Sequence, residues 1–267
     1  MAKLLEIKNL AIEFAAPGGV VTAVDDVSFR IKSGETTAVV GESGSGKSTT
    51  ARVITGLLPQ LSGSIEFDGA VLPKRLEDRT KEQKRIIQMI YQMADTAMNP
   101  RQTVREIIGR PLEFYLDLKG KEKEDRILQL LEMIELDGQF IDRLPSELSG
   151  GQKQRICIAR ALAADPEFII CDEVTSALDQ IVQEGILKLL MRLQKELNLT
   201  YLFITHDIST VRAISDHVVV MNLGEVVEQG IKSDVFSPPH PDYTELLLSS
   251  VPEMDPDWLN NLNKKRD

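Results

Sequence analysis

Two glycine-rich stretches of this chain could each hold a phosphate. Gly41-Glu42-Ser43-Gly44-Ser45-Gly46-Lys47-Ser48 fits G-x-x-x-x-G-K-[ST] at every fixed position, with Thr49 next in line. Its glycines let backbone N–H groups curl around phosphate oxygens. Lys47 reaches the β- and γ-phosphates, and Ser48 offers its hydroxyl to Mg²⁺. Leu148-Ser149-Gly150-Gly151-Gln152 lies far downstream and opens a helix, whose free N–H groups and positive dipole end make a second anion site. The open question is which phosphate that second device serves.

Further candidate chemistry sits at the ends of apolar runs. Phe168-Ile169-Ile170-Cys171 leads into Asp172-Glu173. At a strand's C-terminal end Asp172 can hold Mg²⁺, directly or through water, and Glu173 can orient and polarise an attacking water. An apolar run ending in two acids is weak alone. Its position one helix after Leu148–Gln152 strengthens it. The next apolar run ends in Thr205-His206-Asp207, from which His206 can reach a γ-phosphate or the water. Gln92 follows the run ending at Tyr91. Its amide can touch Mg²⁺ or the water, although a lone glutamine says little. Phe14 closes the first run and could stack on an adenine ring, or equally belong to the core. His217 and His240 have no such context and read as structural.

These residues need elements to carry them. Thr37–Val40 reads as a buried strand and Ser48–Leu58 as a helix, which gives the phosphate loop its strand–loop–helix setting. Before it, Leu4–Phe14 and Val20–Ile31 read as antiparallel strands joined by a turn at 16–19. Ser64–Phe67 and Arg85–Tyr91 are strand candidates. The β pattern then lapses until about Pro145. Thr103–Ile108 and Glu122–Ile134 read as helices, the latter with Ile127, Leu130, Leu131 and Ile134 at helical spacing. Strands and helices alternate again afterwards: helix Ser149–Ala163, strand Phe168–Cys171, amphipathic helix Asp179–Leu197, strand Tyr201–Thr205, helix Ile208–Ile214. A hairpin around Gly224 closes the run. That alternation predicts an α/β fold with a mainly parallel sheet. The end from Ser237 is rich in proline and acids. It holds one short helix, Tyr243–Ser249, before a terminus expected to be mobile.

Composition limits the partners. The chain has 267 residues and a net charge of −10. A sequence-independent nucleic-acid binder ordinarily presents a basic face, so nucleic acid is not expected as a partner. Cys157 and Cys171 are the two cysteines, both in apolar segments, and read as small buried hydrophobes in a reducing compartment. No apolar run approaches the length needed to span a bilayer. Any work at a membrane then goes through a partner.

Together, GESGSGKS at 41–48, Gln92, LSGGQ at 148–152, Asp172-Glu173, Ser176-Ala177-Leu178-Asp179 and His206 resemble the ATP-binding subunit of an ABC transporter. The resemblance covers nearly the whole chain. It implies a P-loop NTPase with a RecA-like core, an N-terminal antiparallel β subdomain and an inserted α-helical subdomain. Residues 1–250 would be the ATP-binding domain, with the insertion at about 93–160 and a tail at 251–267. The implied ligands are ATP and Mg²⁺. Phe14, residues 41–49, residues 149–152 and Asp179 would hold the nucleotide; Ser48, Gln92 and Asp172 the metal; Glu173, His206 and Gln92 would act in catalysis. Two such subunits, the same or related chains, would pack head to tail, each ATP lying between the phosphate loop of one and the LSGGQ of the other. Gly151 is then expected to let the partner's nucleotide come close. Transmembrane permease subunits would be the direct partners and an extracytoplasmic solute-binding protein an indirect one. The site of action would be the cytoplasmic face of the inner (plasma) membrane, peripherally bound.

A finer resemblance is to the oligopeptide/dipeptide importer branch, which also handles nickel chelates, opines and some oligosaccharides. It rests on Val39–Gly46, on Met98-Asn99-Pro100-Arg101, and on Pro239-His240-Pro241-Asp242-Tyr243-Thr244 with Ser249-Ser250-Val251-Pro252. The chain departs from it at Met93-Ala94, where the branch usually has Asp-Pro, and at Val174, where a proline usually follows the glutamate. No cysteine follows Cys171, so no iron–sulfur cluster is expected. The competing class is a soluble ABC-type ATPase not coupled to transport. Such proteins usually carry long coiled-coil or zinc insertions or two nucleotide-binding halves, and none is evident here.

Overall fold

The computed structural model describes residues 3–16 and 19–250. Part of the expected 16–19 turn and the 251–267 tail lie outside the described residues. In chain order the elements are β1 (Lys3–Ala16), β2 (Gly19–Lys32), β3 (Thr36–Val40), α1 (Lys47–Ile54), β4 (Ser62–Phe67), β5 (Ala70–Val71), α2 (Lys81–Ile86), β6 (Ile87–Ile90), α3 (Ala94–Ala97), α4 (Val104–Leu116), α5 (Gly120–Met133), α6 (Gly150–Leu162), β7 (Phe168–Asp172), α7 (Gln180–Leu197), β8 (Thr200–Ile204), α8 (Ile208–Ile214), β9 (His217–Asn222), β10 (Glu225–Ile231), α9 (Lys232–Val235) and α10 (Asp242–Ser249).

Two sheets organise them. The smaller is antiparallel, in the order β2-β1-β4-β5. The larger runs β10-β9-β3-β8-β7-β6 and is parallel except for β10. Its central strands β3, β8 and β7, and the middle of β9, are covered on both faces, which is why they read as apolar runs. Side chains alternate between the faces. Phe168 and Ile170 of β7, with Leu202 and Ile204 of β8, join the core shared with the small sheet and α1. Ile169, Cys171, Tyr201 and Phe203 join the core shared with the helices. The stripes Ile127/Leu130/Leu131/Ile134 and Ile186/Leu189/Leu190/Leu193 are buried in that second core, as their spacing predicts. Both cysteines are buried, and desolvation pushes the Cys157 thiol up to about 11.

Three local expectations change. Arg85–Tyr91 is not all strand: α2 occupies Lys81–Ile86, started by a capping box in which Thr80 and Gln83 satisfy each other's backbone N–H. Helix α4 runs well past Ile108, through Pro111, because Ile107, Ile108 and Leu112 bury one continuous face. Helix α1 stops at Ile54, where the buried Arg79 guanidinium donates to the carbonyls of Ile54 (2.6 Å) and Val53 (3.4 Å). A cation at a helix C-terminus also suits the dipole.

Helix α3 bears on the departure at Met93-Ala94. Met93 is its N-cap, 55% exposed, and makes no side-chain cap. The helix is held instead by an ion pair of Asp95 with Lys153 and by Arg160 on the Ala97 carbonyl. Aspartate at an N-cap and proline at N1 are both favoured. Met93→Asp with Ala94→Pro is therefore expected to stabilise the chain by about 1 kcal/mol. Thermal unfolding should show a midpoint about 2–4 °C higher, and an unchanged or lower midpoint would contradict the capping account.

Candidate functional site

Parallel strands deliver their C-terminal ends to one edge of the sheet, where ligands of α/β folds bind. Val40 ends β3 and leads into the phosphate loop. Asp172 ends β7, Ile204 ends β8 two residues before His206, and Ile90 ends β6 two residues before Gln92. Strands β3, β8, β7 and β6 are consecutive neighbours, so these ends lie in a row.

The phosphate loop is built around two obligatory glycines. A Cβ on Gly41 (φ +148°) would sit 2.0 Å from the Met221 carbonyl oxygen, and one on Gly46 (φ +98°) would sit 2.7 Å from that of Ala23. The β9–β10 turn braces the loop, with the Gly224 N–H donating to the Ser45 carbonyl at 3.2 Å. Lys47 is 5% exposed. Its Nζ donates to the carbonyls of Gly41 (2.7 Å) and Glu42 (2.6 Å) and to Ser45 Oγ (3.2 Å). Burial pulls its pKa below the ordinary ammonium value, against the upward pull of Glu173, Asp172 and Glu42. A desolvated cation of this kind gains from an anion in the loop.

Ser48 Oγ donates to Asp172 Oδ1 at 2.9 Å. Burial holds the Asp172 carboxyl above the usual carboxylate range. The Ser48 bond, Arg52 and Lys47 oppose the shift, and Glu173 adds to it. A hydroxyl and a buried carboxylate are hard oxygen donors suited to Mg²⁺, an ion that keeps several waters and takes phosphate oxygens as further ligands. Among the described residues no group of three or more His, Cys, Asp or Glu could hold a metal.

Glu173 is clamped at both oxygens. Gln92 Nε2 donates to Oε2 at 2.6 Å, and His206 Nδ1 lies 3.3 Å from Oε1. The backbone at Glu173 is left-handed, φ +48°, a conformation costing a non-glycine residue about 1–3 kcal/mol. It is held by the Glu173 N–H on the Ile204 carbonyl (2.9 Å) and by Ser176, whose N–H (3.1 Å) and Oγ (3.0 Å) both donate to the Glu173 carbonyl. Gln92 Nε2 also reaches Ser176 Oγ at 3.3 Å. Ser176, which the motif Ser176-Ala177-Leu178-Asp179 marks without giving it a role, is thus a supporting residue for Glu173. The departure at Val174 is accommodated: it is 1% exposed in the helical-side core.

Ser149 caps α6 in a second capping box. Gln152 N–H donates to Ser149 Oγ (3.3 Å), and Gln152 Oε1 accepts from the Ser149 N–H (2.8 Å). The cap uses a lone pair of the hydroxyl, and among the described residues no acceptor takes its hydrogen. Ser149 and Gly150 are exposed. Gly151 also serves packing within the chain. A Cβ there would lie 2.6 Å from Val182 Cγ1, so Gly151 makes room for α7 of the same chain. A Cβ on Gly150 would meet only Leu178 Cδ2 at an ordinary 3.6 Å. Asp179 caps α7, its Oδ1 accepting from Val182 N–H at 3.0 Å. Phe14 is 40% exposed, opposite Val21 on β2, which removes the core alternative. His217 Nε2 lies 3.1 Å from Lys32 Nζ and 3.0 Å from Glu35 Oε2, at the opposite end of β9 from the site, in keeping with a structural role.

A glycine-lysine loop after a central parallel strand, a Ser–Asp oxygen pair beside it and a clamped glutamate at the neighbouring strand end define a P-loop nucleoside triphosphatase. Its family is narrower: residues 24–176 match the ABC transporter family model, and the chain belongs to that family. It is an ATPase of the α/β P-loop fold and binds ATP. The oligopeptide transport ATP-binding protein OppF of Bacillus subtilis is 47% identical over 261 residues, 97% of this chain and 86% of that protein. Among solved structures, cbiO1 of Clostridium perfringens, described as part of the ABC transporter complex cbiONQ, superposes with TM-score 0.79 at 28% identity, covering 99% of this chain and all of that one. An ATP-binding cassette solved as a post-hydrolysis dimer with ADP and Pi gives TM-score 0.75 at 32% identity, covering 85% of this chain and 98% of that one.

Proposed function

We infer that the chain is the ATP-hydrolysing subunit of an importer for oligopeptides or related small solutes. It would work as a head-to-tail pair with a same or related subunit beneath transmembrane permease subunits. The cargo class comes from OppF-type relatives, of which this chain covers most of the length. Among the described residues no helix is long and apolar enough to cross a membrane. Docking would be peripheral, at the cytoplasmic face, with the solute-binding protein engaged through the permease. Residues 1–250 would form the ATP-binding domain, the insertion at about 93–160 its contact with the permease, and 251–267 the tail.

The observation that carries the reading is the row of strand ends, which puts a buried lysine, a Ser–Asp pair and a clamped glutamate side by side. Lys47 Nζ would exchange its loop carbonyls for β- and γ-phosphate oxygens, and the N–H groups of residues 44–49 would cradle the same phosphates. Ser48, Asp172 and Gln92 would hold Mg²⁺, which neutralises phosphate charge when bound. Glu173 would orient the attacking water and accept its proton, held in place by Gln92 and His206. Phe14 would stack on the adenine. Ser149 would donate its free hydroxyl hydrogen to the partner's γ-phosphate, with Gly150, Gly151, Gln152 and Asp179 closing that face.

Equilibrium binding tests the loop. Lys47→Ala removes the charge-assisted hydrogen bonds and is expected to weaken MgATP about tenfold to hundredfold. Asp172→Asn should lower affinity only when Mg²⁺ is present. If Lys47→Ala holds MgATP as tightly as wild type, the loop does not serve the terminal phosphates.

A further inference from the structure

The C-terminal helix α10 touches the phosphate loop. Tyr243 Oη accepts a hydrogen bond from the backbone N–H of Glu42 at 3.0 Å, across a separation of 201 residues. The same peptide unit is gripped from its other side, because the Gly41 carbonyl accepts from Lys47 Nζ at 2.7 Å. The next carbonyl, that of Glu42, accepts from Lys47 at 2.6 Å. One peptide plane therefore links the tyrosine hydroxyl to the lysine ammonium, and hydrogen bonds in series polarise one another.

The helix is anchored where it can hold that plane still. Thr244 and Leu247 are buried, and Tyr243 packs with Leu247 in a core with Ala38 and Val40 of β3 and Val218 and Val220 of β9. Val40 immediately precedes Gly41, so the helix rests on the strand that launches the loop. The β9–β10 turn braces the loop at Ser45. Tyr243 braces it at the other end.

We propose that Tyr243 is a positioning residue for ATP binding: its hydroxyl fixes the Gly41–Glu42 peptide, and through it the resting place of Lys47. This rests on loop 41–48 being the phosphate site. Tyr243→Phe keeps the packed ring and deletes one oxygen.

The test is equilibrium MgATP binding by the full chain, comparing wild type, Tyr243→Phe, Glu42→Pro, the double variant and Lys47→Ala. Tyr243→Phe should weaken MgATP about three- to tenfold, the worth of one hydrogen bond. Steady-state KM should rise by a similar factor with a smaller change in kcat, and the thermal midpoint of the nucleotide-free chain should hold. Glu42→Pro removes the N–H itself, so adding Tyr243→Phe to it should change affinity no further. Wild-type affinity in Tyr243→Phe beside a weakened Lys47→Ala overturns the brace and leaves the loop's role standing. Wild-type affinity in both removes the loop reading as well. A Tyr243→Phe loss that persists undiminished with Glu42→Pro also overturns the brace, because the tyrosine would then act through helix packing.

Discussion

Glu173→Gln is expected to bind MgATP about as well as wild type and to hydrolyse it roughly 10²–10⁴-fold more slowly, the usual contribution of a general base. The substitution is close to isosteric, and the surroundings tolerate it. The amide oxygen can still accept from Gln92 Nε2, now 2.6 Å from Oε2, while the new NH₂ turns toward His206 Nδ1, now 3.3 Å from Oε1. The left-handed backbone at 173 is fixed by main-chain and Ser176 contacts that do not involve the side chain. What is lost is the negative charge and the capacity to take a proton. Single-turnover hydrolysis beside nucleotide titration separates the two quantities. The variant should also accumulate as an ATP-bound dimer on a sizing column. Near-normal turnover in the assembled transporter would assign the base elsewhere.

What the residue order revealed and what it hid follow from range. The phosphate loop is a local motif whose chemistry is written in consecutive residues. The strand ends at Asp172 and His206 are marked by doubly buried apolar runs, and Ser149-x-x-Gln152 is itself a capping-box pattern. Hidden features depend on partners distant in sequence or on backbone geometry. Nothing local in Asp172-Glu173-Val174 announces the positive φ at Glu173, which the Ile204 carbonyl of the next strand helps to impose. Arg79 reads as one more charge in a polar stretch, yet it is 4% exposed on the end of α1, and desolvation lowers its pKa to about 10. Helix α2 was obscured because Arg85–Tyr91 holds both a helix end and a strand. The capping box at Thr80–Gln83 was the available signal. The packing role of Gly151 was hidden for the same reason of range: its neighbour Val182 lies on the following helix, across the intervening strand β7.

That neighbour decides how the second phosphate device must be tested. Gly151→Asp would drive a Cβ into Val182, a β-branched side chain with little rotamer freedom. It should loosen α6 from α7 and lower the thermal midpoint of the isolated subunit, confounding any effect on the dimer. Gly150 offers the clean experiment. It is exposed, its backbone is not left-handed, and the nearest atom to an added Cβ is at ordinary contact distance. As the first residue of α6 it occupies a helical position where aspartate is mildly favourable to the dipole. In the monomer, Gly150→Asp should therefore leave both the midpoint and MgATP affinity close to wild type. In a head-to-tail pair the same carboxylate would face the partner's γ-phosphate beside Ser149 and repel it. Removing one hydrogen-bond donor from an oxyanion site costs about 10²–10³ in rate, and placing a negative charge there should cost at least as much. The expected pattern is intact ATP binding, no ATP-driven dimer even in the Glu173→Gln background, and turnover down by at least about a hundredfold. If Glu173→Gln/Gly150→Asp still dimerises with ATP, the turn at 148–152 does not meet the partner's nucleotide, and its serine and glutamine serve only to cap α6.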